Sequence, residues 1–125
     1  MAKFMSEEYI SQVQSALSSD PKWSETTKSF KTSIAFNVTD IGQNFVMNVD
    51  NGTTTFQKVA PGTGAEFSFD GTYDAWSNVA KGEVDIQSAV LKGQLKFKGS
   101  LTKILMYKDR FVRVAEIMRD VPKEY

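Results

Sequence analysis

The chain has 125 residues, contains no cysteine and no histidine, and carries 15 basic and 15 acidic side chains, so its formal net charge is zero. These counts exclude a disulfide framework, a Ser-His-Asp triad, a Cys-His pair and a histidine-containing zinc site. A net charge of zero argues against a nucleic-acid surface. The length predicts one domain over residues 1–125.

The charges are distributed unevenly along the chain. Residues 1–80 contain five lysines and nine acids, whereas residues 81–125 contain ten basic and six acidic side chains. One interpretation is a solvated polar face on a basic strand and helix. The other is a patch for anionic lipid headgroups, which predicts transient contact with an anionic membrane.

The N-terminal segment predicts two helices. Ser6 is suited to cap a helix over residues 6–19, because Glu7 and Glu8 follow in the first turn and apolar residues then recur at helical spacing. Asp20 followed by Pro21 predicts a second, short helix over 21–27.

The pattern then changes to a period of two. Strands are predicted over 30–39, 45–49, 53–60 and 65–70, and the breaks between them contain Gly42, Gly52 and the segment 61–64. Because these strands follow one another closely, we expect an antiparallel meander.

The C-terminal half returns to helix. Thr72 and Asp85 are candidate caps of short helices over 73–81 and 86–92, and a fifth strand is predicted around Leu95 and Phe97. The last helix, 101–119, has an apolar face wider than the usual arc of about 100°. That face predicts either packing against both the sheet and the N-terminal helices, or the lining of a ligand cavity or partner site.

Together these elements predict an α+β domain. Its five-stranded, mostly antiparallel sheet is covered by helices at the N-terminus, between strands 4 and 5, and at the C-terminus.

One segment carries a family resemblance. Residues 73–100 read YDAWSNVAKGEVDIQSAVLKGQLKFKGS: an aromatic helix that ends in glycine, a second short helix that ends in Lys92-Gly93, and a strand of the form G-x-L-K-x-K-G. This segment resembles the sterol-carrier-protein-2 domain, whose members carry a similar aspartate-aromatic helix and a G-K-L-K-x-K-G strand. Gln94 stands where that strand has its first lysine. The resemblance covers about residues 5–120.

The resemblance implies that the sheet and helices enclose an apolar tunnel for sterols, fatty acids or fatty-acyl thioesters, which the protein binds or transfers. Trp76 is amphipathic, and we expect it either at the rim of this tunnel or as an ordinary core residue. The tunnel candidates are Phe36, Val38, Phe45, Met47, Phe67, Phe69, Trp76, Val79, Leu91, Leu95, Phe97, Leu105, Val112 and Met118.

Two other classes of function are weighed against lipid binding. A protein-interaction or dimerisation module would use the apolar C-terminal helix. An enzyme would have to rely on Asp, Glu, Lys or Tyr, and no motif pairs these residues, so we expect no catalytic residues. No cofactor and no metal are expected either, because Asp74 and Asp85, in the one acid-rich region, are explained as helix starters.

The sequence also carries signals that bear on location. The N-terminal residues turn acidic where the apolar core of a signal peptide would begin. No apolar run approaches the ~18 residues of a membrane span, and the last three residues, 123–125, do not form a peroxisomal signal. We therefore expect a cytoplasmic protein.

Overall fold

The computed structural model describes residues 2–125 and contains one sheet covered by helices. In chain order the elements are α1 (Glu7–Ser18), α2 (Pro21–Thr26), β1 (Lys31–Val38), β2 (Gln43–Asp50), β3 (Thr53–Lys58), β4 (Phe67–Gly71), α3 (Tyr73–Ala80), α4 (Ile86–Leu91), β5 (Lys96–Lys98), α5 (Leu101–Met106) and α6 (Lys108–Asp120). The predicted α+β class is confirmed.

The helix starts follow the capping signals in the sequence. The side chain of each predicted cap accepts a hydrogen bond from the backbone N–H three residues further on; these caps are Ser6, Asp20, Thr72 and Asp85. Gly93 follows α4 with a φ of 75°, the left-handed conformation that lets a helix stop.

The sheet has the strand order β3-β2-β1-β4-β5, with β1 in the centre. Three of its four strand pairs are antiparallel, which confirms the mostly antiparallel sheet. The predicted meander is wrong at β4, which pairs with β1 in parallel. The loop after β3 crosses the sheet, as residues Pro61–Ala65 line a surface cavity together with side chains of β1, β2 and β4. Period-two alternation identifies a strand but does not specify its partner.

The strand register creates an aromatic face. Phe45, Phe36, Phe69 and Phe97 are aligned on four neighbouring strands. With Ile34, Met47 and Phe67 they belong to or pack against the core cluster shared with the helices. Alternate residues on these strands, such as Asn37 and Ser68, point to the other face of the sheet. We call the helix-covered surface the aromatic face.

The last helix is not continuous. It is divided at Tyr107 into α5 and α6, so the prediction of one helix over 101–119 is wrong. The Tyr107 ring lies edge-on against Phe30 and Phe67, with centroid distances of 4.7 and 6.3 Å. These tertiary contacts accompany the break, and no glycine or proline marks it in the sequence.

The two ends of the described chain lie together. Phe4 N–H donates to the carbonyl of Glu124 at 2.8 Å, and Glu124 N–H donates to the carbonyl of Ala2 at 2.9 Å. Phe4 is buried against Tyr9 and Tyr73. These contacts place the N-terminal residues in the core, although they precede the first predicted helix.

Candidate functional site

The aromatic face is covered by α6 through Phe111. The Phe111 ring meets Phe67 and Phe69 edge-on, with centroid distances of 5.4 and 5.8 Å. It is buried, as are Val114 and Met118 on the same helix. Phe111 therefore fills the space between α6 and β4.

Trp76 on α3 forms another wall of this interior. Its ring lies edge-on to Phe36 at 5.6 Å, and its indole Nε1 donates to the carbonyl of Asn37 at 2.9 Å. Trp76 is completely buried, which agrees with the interpretation as a core residue and not with a place at an exposed rim. This hydrogen bond satisfies the indole N–H, the only polar group of the side chain, which would otherwise be buried without a partner.

A small void remains where the aromatic face, α3, α4 and α6 meet. Its volume is about 10 Å³, and its lining consists of Phe36, Trp76, Val79, Ile86, Phe111, Val114, Ala115 and Met118. The described part of the chain therefore has a nearly filled interior at this position in place of the expected open tunnel. The cause is the dense packing of α6, whose aromatic and aliphatic residues close the space.

A surface groove adjoins this void. It measures about 200 Å³ and lies between the α3–α4 connection and α6, lined by Val79, Gly82, Val84, Asp85, Ile86, Val112, Ala115, Glu116 and Arg119. Val79, Ile86 and Ala115 line both spaces. The groove and the void are therefore adjacent, with these three side chains between them.

Most of the tunnel candidates come together on the inner side of the fold. Ten are buried and Phe97 is half-buried; the ten are Phe36, Val38, Phe45, Met47, Phe67, Phe69, Trp76, Val79, Leu95 and Met118. Of these, Phe36, Trp76, Val79 and Met118 line the void.

Three candidates are misplaced. The exposed fractions of Leu91, Leu105 and Val112 are 86%, 67% and 36%, so they do not line the interior. Leu91 is the last residue of α4, beyond its buried residues Ile86 and Ala89. Leu105 lies on α5, and Val112 contributes to the wall of the outer groove.

Most of the residues that line the void from α6 were not among the candidates chosen from the sequence. They are Phe111, Val114, Ala115 and Met118, of which only Met118 was a candidate. Their spacing of three, four and seven residues is a helical stripe that the sequence does contain. The break at Tyr107 starts a new helix. A single apolar stripe continued from residue 101 therefore places Val112 on the inner side of the helix, where the structure has Phe111.

Polar contacts hold α6 in place. Arg113 forms an ion pair with Asp20, the cap of α2, at 2.6 Å. Arg110 Nε donates to the carbonyl of Thr26 at 2.9 Å, and the Tyr9 hydroxyl donates to the carbonyl of Met118 at 2.8 Å. Burial raises the pKa of Tyr9, which keeps it a neutral donor. These contacts connect both ends of α6 to α1 and α2.

Two acidic side chains of the acid-rich region, Asp70 and Asp85, accept hydrogen bonds within the protein. Asp85 accepts hydrogen bonds from Ser88 N–H and Oγ, and Asp70 accepts one from Asn37 Nδ2 at 2.7 Å. Hydrogen bonds from Ser88 lower the pKa of Asp85. Residues 2–125 contain no group of three or more His, Cys, Asp or Glu side chains that could hold a metal ion.

No helix within residues 2–125 has the length and apolar character needed to cross a membrane.

The fold is similar to solved structures that are described as sterol carrier proteins. A crystal structure of sterol carrier protein 2 matches with a TM-score of 0.86 and 19% identity, over 96% of this chain and 100% of that chain. A conserved hypothetical protein from Thermus thermophilus, described as possibly a sterol carrier protein, matches with a TM-score of 0.81 and 16% identity, over 99% and 94%. Sterol carrier protein 2 from Aedes aegypti, solved with palmitate, matches with a TM-score of 0.57 and 17% identity, over 89% and 96%.

At these identities the structural likeness establishes the fold. A comparison with curated protein sequences finds no match. The family assignment comes from the sequence, because the model of the SCP-2 sterol transfer family matches residues 10–111. That range includes β1–β5, α3 and Phe111. The chain therefore belongs to the SCP-2 sterol transfer family.

Proposed function

We propose that the protein binds and transfers apolar ligands, namely fatty acids, fatty-acyl thioesters or sterol-like molecules, in space that opens between the aromatic face and α6. Membership of a sterol transfer family supports lipid binding and transfer. The palmitate complex of the Aedes aegypti protein supports a long acyl chain as one ligand of this fold.

The position of Phe111 is the observation that carries this proposal. Its ring lies between Phe67 and Phe69, where it makes contacts that an acyl chain would make in its place. A chain that enters gains about 0.8 kcal/mol for each CH₂ group buried. That gain offsets the displacement of Phe111 only when many CH₂ groups are buried, which favours long ligands over short ones.

The groove provides a path to this space and a place for a polar head. Arg119 is its one basic lining residue, and its Nε is 3.9 Å from Asp120 Oδ1. The two acids of the groove are engaged elsewhere, since Asp85 caps α4 and Glu116 pairs with Arg113 at 3.4 Å. Arg119 is therefore the side chain that would receive a fatty-acid carboxylate.

The proposal extends to the setting in which the carrier works. The protein has no catalysis of its own, it works in the cytoplasm, and it exchanges ligand with anionic membranes. The excess of basic side chains in residues 81–125 supports the membrane contact.

Displacement of a fluorescent fatty acid tests the proposed site. Phe111→Ala removes the ring that fills the ligand space, so we expect a less stable protein that binds the probe several-fold more tightly than the wild type. Phe4→Ala is the matched control, because Phe4 is equally buried but lies with Tyr9, Tyr73 and Tyr125 near the chain ends. We expect it to lose stability without a gain in affinity.

Comparison of the two variants distinguishes a change at the proposed ligand site from a general loosening of the core. Equal affinity of the Phe111→Ala and Phe4→Ala proteins would place the ligand elsewhere. Failure of all three proteins to bind any apolar probe would favour the less supported alternative, a protein-interaction or dimerisation module. Gel filtration would then be expected to show a dimer.

A further inference from the structure

Helix α5 leaves most of its apolar side chains exposed to solvent. Ile104 is its only buried residue, and Leu101, Leu105 and Met106 are each 67% exposed. Three large apolar side chains on one six-residue helix form a concentrated patch, unlike the scattered single residues that are ordinary on protein surfaces. Packing within the described chain therefore does not explain the composition of α5.

The segment around α5 is strongly basic. Residues 92–113 contain one acid, Asp109, and seven basic side chains: Lys92, Lys96, Lys98, Lys103, Lys108, Arg110 and Arg113. Lys103 pairs with Glu66 at 3.0 Å and Arg113 with Asp20. Among the ion pairs within residues 2–125, none involves Lys92, Lys96, Lys98 or Lys108.

We propose that α5 is the membrane-docking element of this protein and that its partner is an anionic bilayer surface. The apolar side chains Leu101, Leu105 and Met106 would enter the boundary between headgroups and acyl chains, while lysines of the flanking segments, such as Lys92 and Lys108, would contact anionic headgroups. This inference rests on the proposed lipid-transfer function, and it names the surface at which transfer takes place.

The charge distribution favours a bilayer over a second copy of the chain. Two copies that met through α5 would bring together two clusters of lysines, which repel each other. A helix of six residues is also too small to supply the ~800 Å² per partner of a standard protein interface. An anionic bilayer satisfies the apolar and the basic side chains together.

The position of α5 connects docking to the ligand space. Tyr107 joins α5 to α6 and lies against Phe67, and Phe67 in turn contacts Phe111. Insertion of α5 into a bilayer would act on this junction, only four residues before Phe111. Docking would therefore favour the movement of α6 away from the aromatic face.

Vesicle co-sedimentation tests this inference. The wild-type protein is expected to bind phosphatidylcholine vesicles that contain about 30% phosphatidylserine, and to be released when salt is raised from about 0.05 M to about 0.5 M. The double variant L101Q/M106Q keeps good helix formers but removes two apolar side chains, so its partition coefficient should fall roughly tenfold or more.

Two matched variants complete the design. Ile41→Gln makes the same kind of change at a 49% exposed residue in the turn between β1 and β2, and it should bind vesicles like the wild type. Lys92→Gln with Lys108→Gln should weaken binding and reduce its dependence on salt. Displacement of a fluorescent fatty acid in solution, without vesicles, should be unchanged in L101Q/M106Q.

Several outcomes would overturn the assignment of α5. They are equal vesicle binding by L101Q/M106Q and the wild type, equal binding of the wild type to neutral vesicles at high salt, and a wild-type dimer that L101Q/M106Q converts to a monomer. Because fatty-acid displacement is measured separately, loss of docking with normal ligand affinity cannot be confused with failure of the lipid-binding proposal.

Discussion

Arg113 and Asp20 are joined by two hydrogen bonds, from Arg113 Nε to Asp20 Oδ2 at 2.9 Å and from Arg113 Nη2 to Asp20 Oδ1 at 2.6 Å. The same carboxylate accepts the backbone N–H of Trp23 at 2.8 Å and so caps α2. One largely buried aspartate side chain therefore connects the helix that covers the aromatic face to the N-terminal helices. Movement of α6 must stretch or break this pair.

Asp20→Asn tests the contribution of the pair to stability. Asparagine is as good a helix cap as aspartate, so the substitution keeps the cap and removes the charge. We expect the free energy of unfolding in urea to fall by about 1.5–3 kcal/mol, the range for hydrogen bonds to charged groups. Glu25→Gln breaks the exposed ion pair with Lys28 and should change stability by less than about 1 kcal/mol. Equal effects of the two variants would contradict a structural role for the Asp20 pair.

The Asp20 pair also predicts a dependence on pH. The hydrogen bond from Arg113 lowers the pKa of Asp20 below its ordinary value of 3.8. The unfolded chain therefore takes up the proton at a higher pH than the folded protein, and the stabilisation is lost as pH falls through the folded-state pKa. The difference in unfolding free energy between the wild type and Asp20→Asn should have its full value well above pH 3.8 and should become smaller in acid. Denaturation curves at several pH values measure it, and a difference that grows in acid would contradict this prediction.

Gly71 at the end of β4 lies where a side chain does not fit. A Cβ atom there would collide with Leu95 Cδ2 and would lie 3.4 Å from Trp76 Nε1. We expect Gly71→Ala to lower the free energy of unfolding by about 1–3 kcal/mol, the usual cost of overpacking. Gly64 is the matched control, because nothing lies within 4 Å of its Cβ position and its φ is not positive. Thermal unfolding compares them, and an equally small effect of both would mean that Leu95 repacks freely.

Trp76 is a fluorescent reporter beside the proposed ligand space. A chain that enters next to Phe36 and Trp76 changes the surroundings of the indole, so its emission intensity should change until ligand saturates the site. Trp23 is also buried, with its Nε1 bonded to Thr54 Oγ1 at 2.8 Å, and it must be removed as Trp23→Phe. The reverse variant, Trp76→Phe, should give a flat titration. A flat titration of the Trp23→Phe protein would place the ligand away from α3.

Much of the fold could be predicted from the sequence because its signals are local. Alternation by two identified the five strands, and capping side chains such as Thr72 identified the helix starts. The partner of β4 and the burial of Phe4 could not be predicted, because both depend on contacts between residues far apart in the chain. The single domain over residues 1–125 stays a prediction.

Part of the candidate site could be predicted from the sequence, because the strand residues that form it also follow from local signals. Inward strand residues such as Phe36 and Phe69 follow from alternation, and the structure buries them. Residues on α6 depend on where that helix begins, and the break at Tyr107, which contacts Phe30 and Phe67, has no local signal in the sequence. The sequence therefore predicted an apolar C-terminal helix but assigned Leu105 and Val112 to the wrong side.

The filled interior beneath α6 has an energetic explanation. A ligand space of at least ~300 Å³, if it stayed empty and rigid, would cost about 7 kcal/mol at ~24 cal/mol per Å³. That cost is comparable with the whole stability of a domain of this size, about 5–15 kcal/mol. A void of about 10 Å³ avoids nearly all of it. Closure of the space by α6 is therefore the arrangement expected of a lipid carrier between ligands.

Closure by α6 also predicts how ligand changes stability. In delipidated protein α6 should open locally more often than the central strands, because its packing on the aromatic face has to be reversible. A long-chain fatty acid at a hundredfold excess over its dissociation constant should raise the free energy of unfolding by about 2.7 kcal/mol and slow hydrogen exchange in Lys108–Asp120. Amides of Lys31–Val38 in the central strand are expected to report global unfolding, so the slowing of their exchange should match the rise in the free energy of unfolding. A delipidated protein whose melting temperature and exchange respond to no apolar ligand would contradict lipid binding, because any ligand that binds only the folded chain must stabilise it.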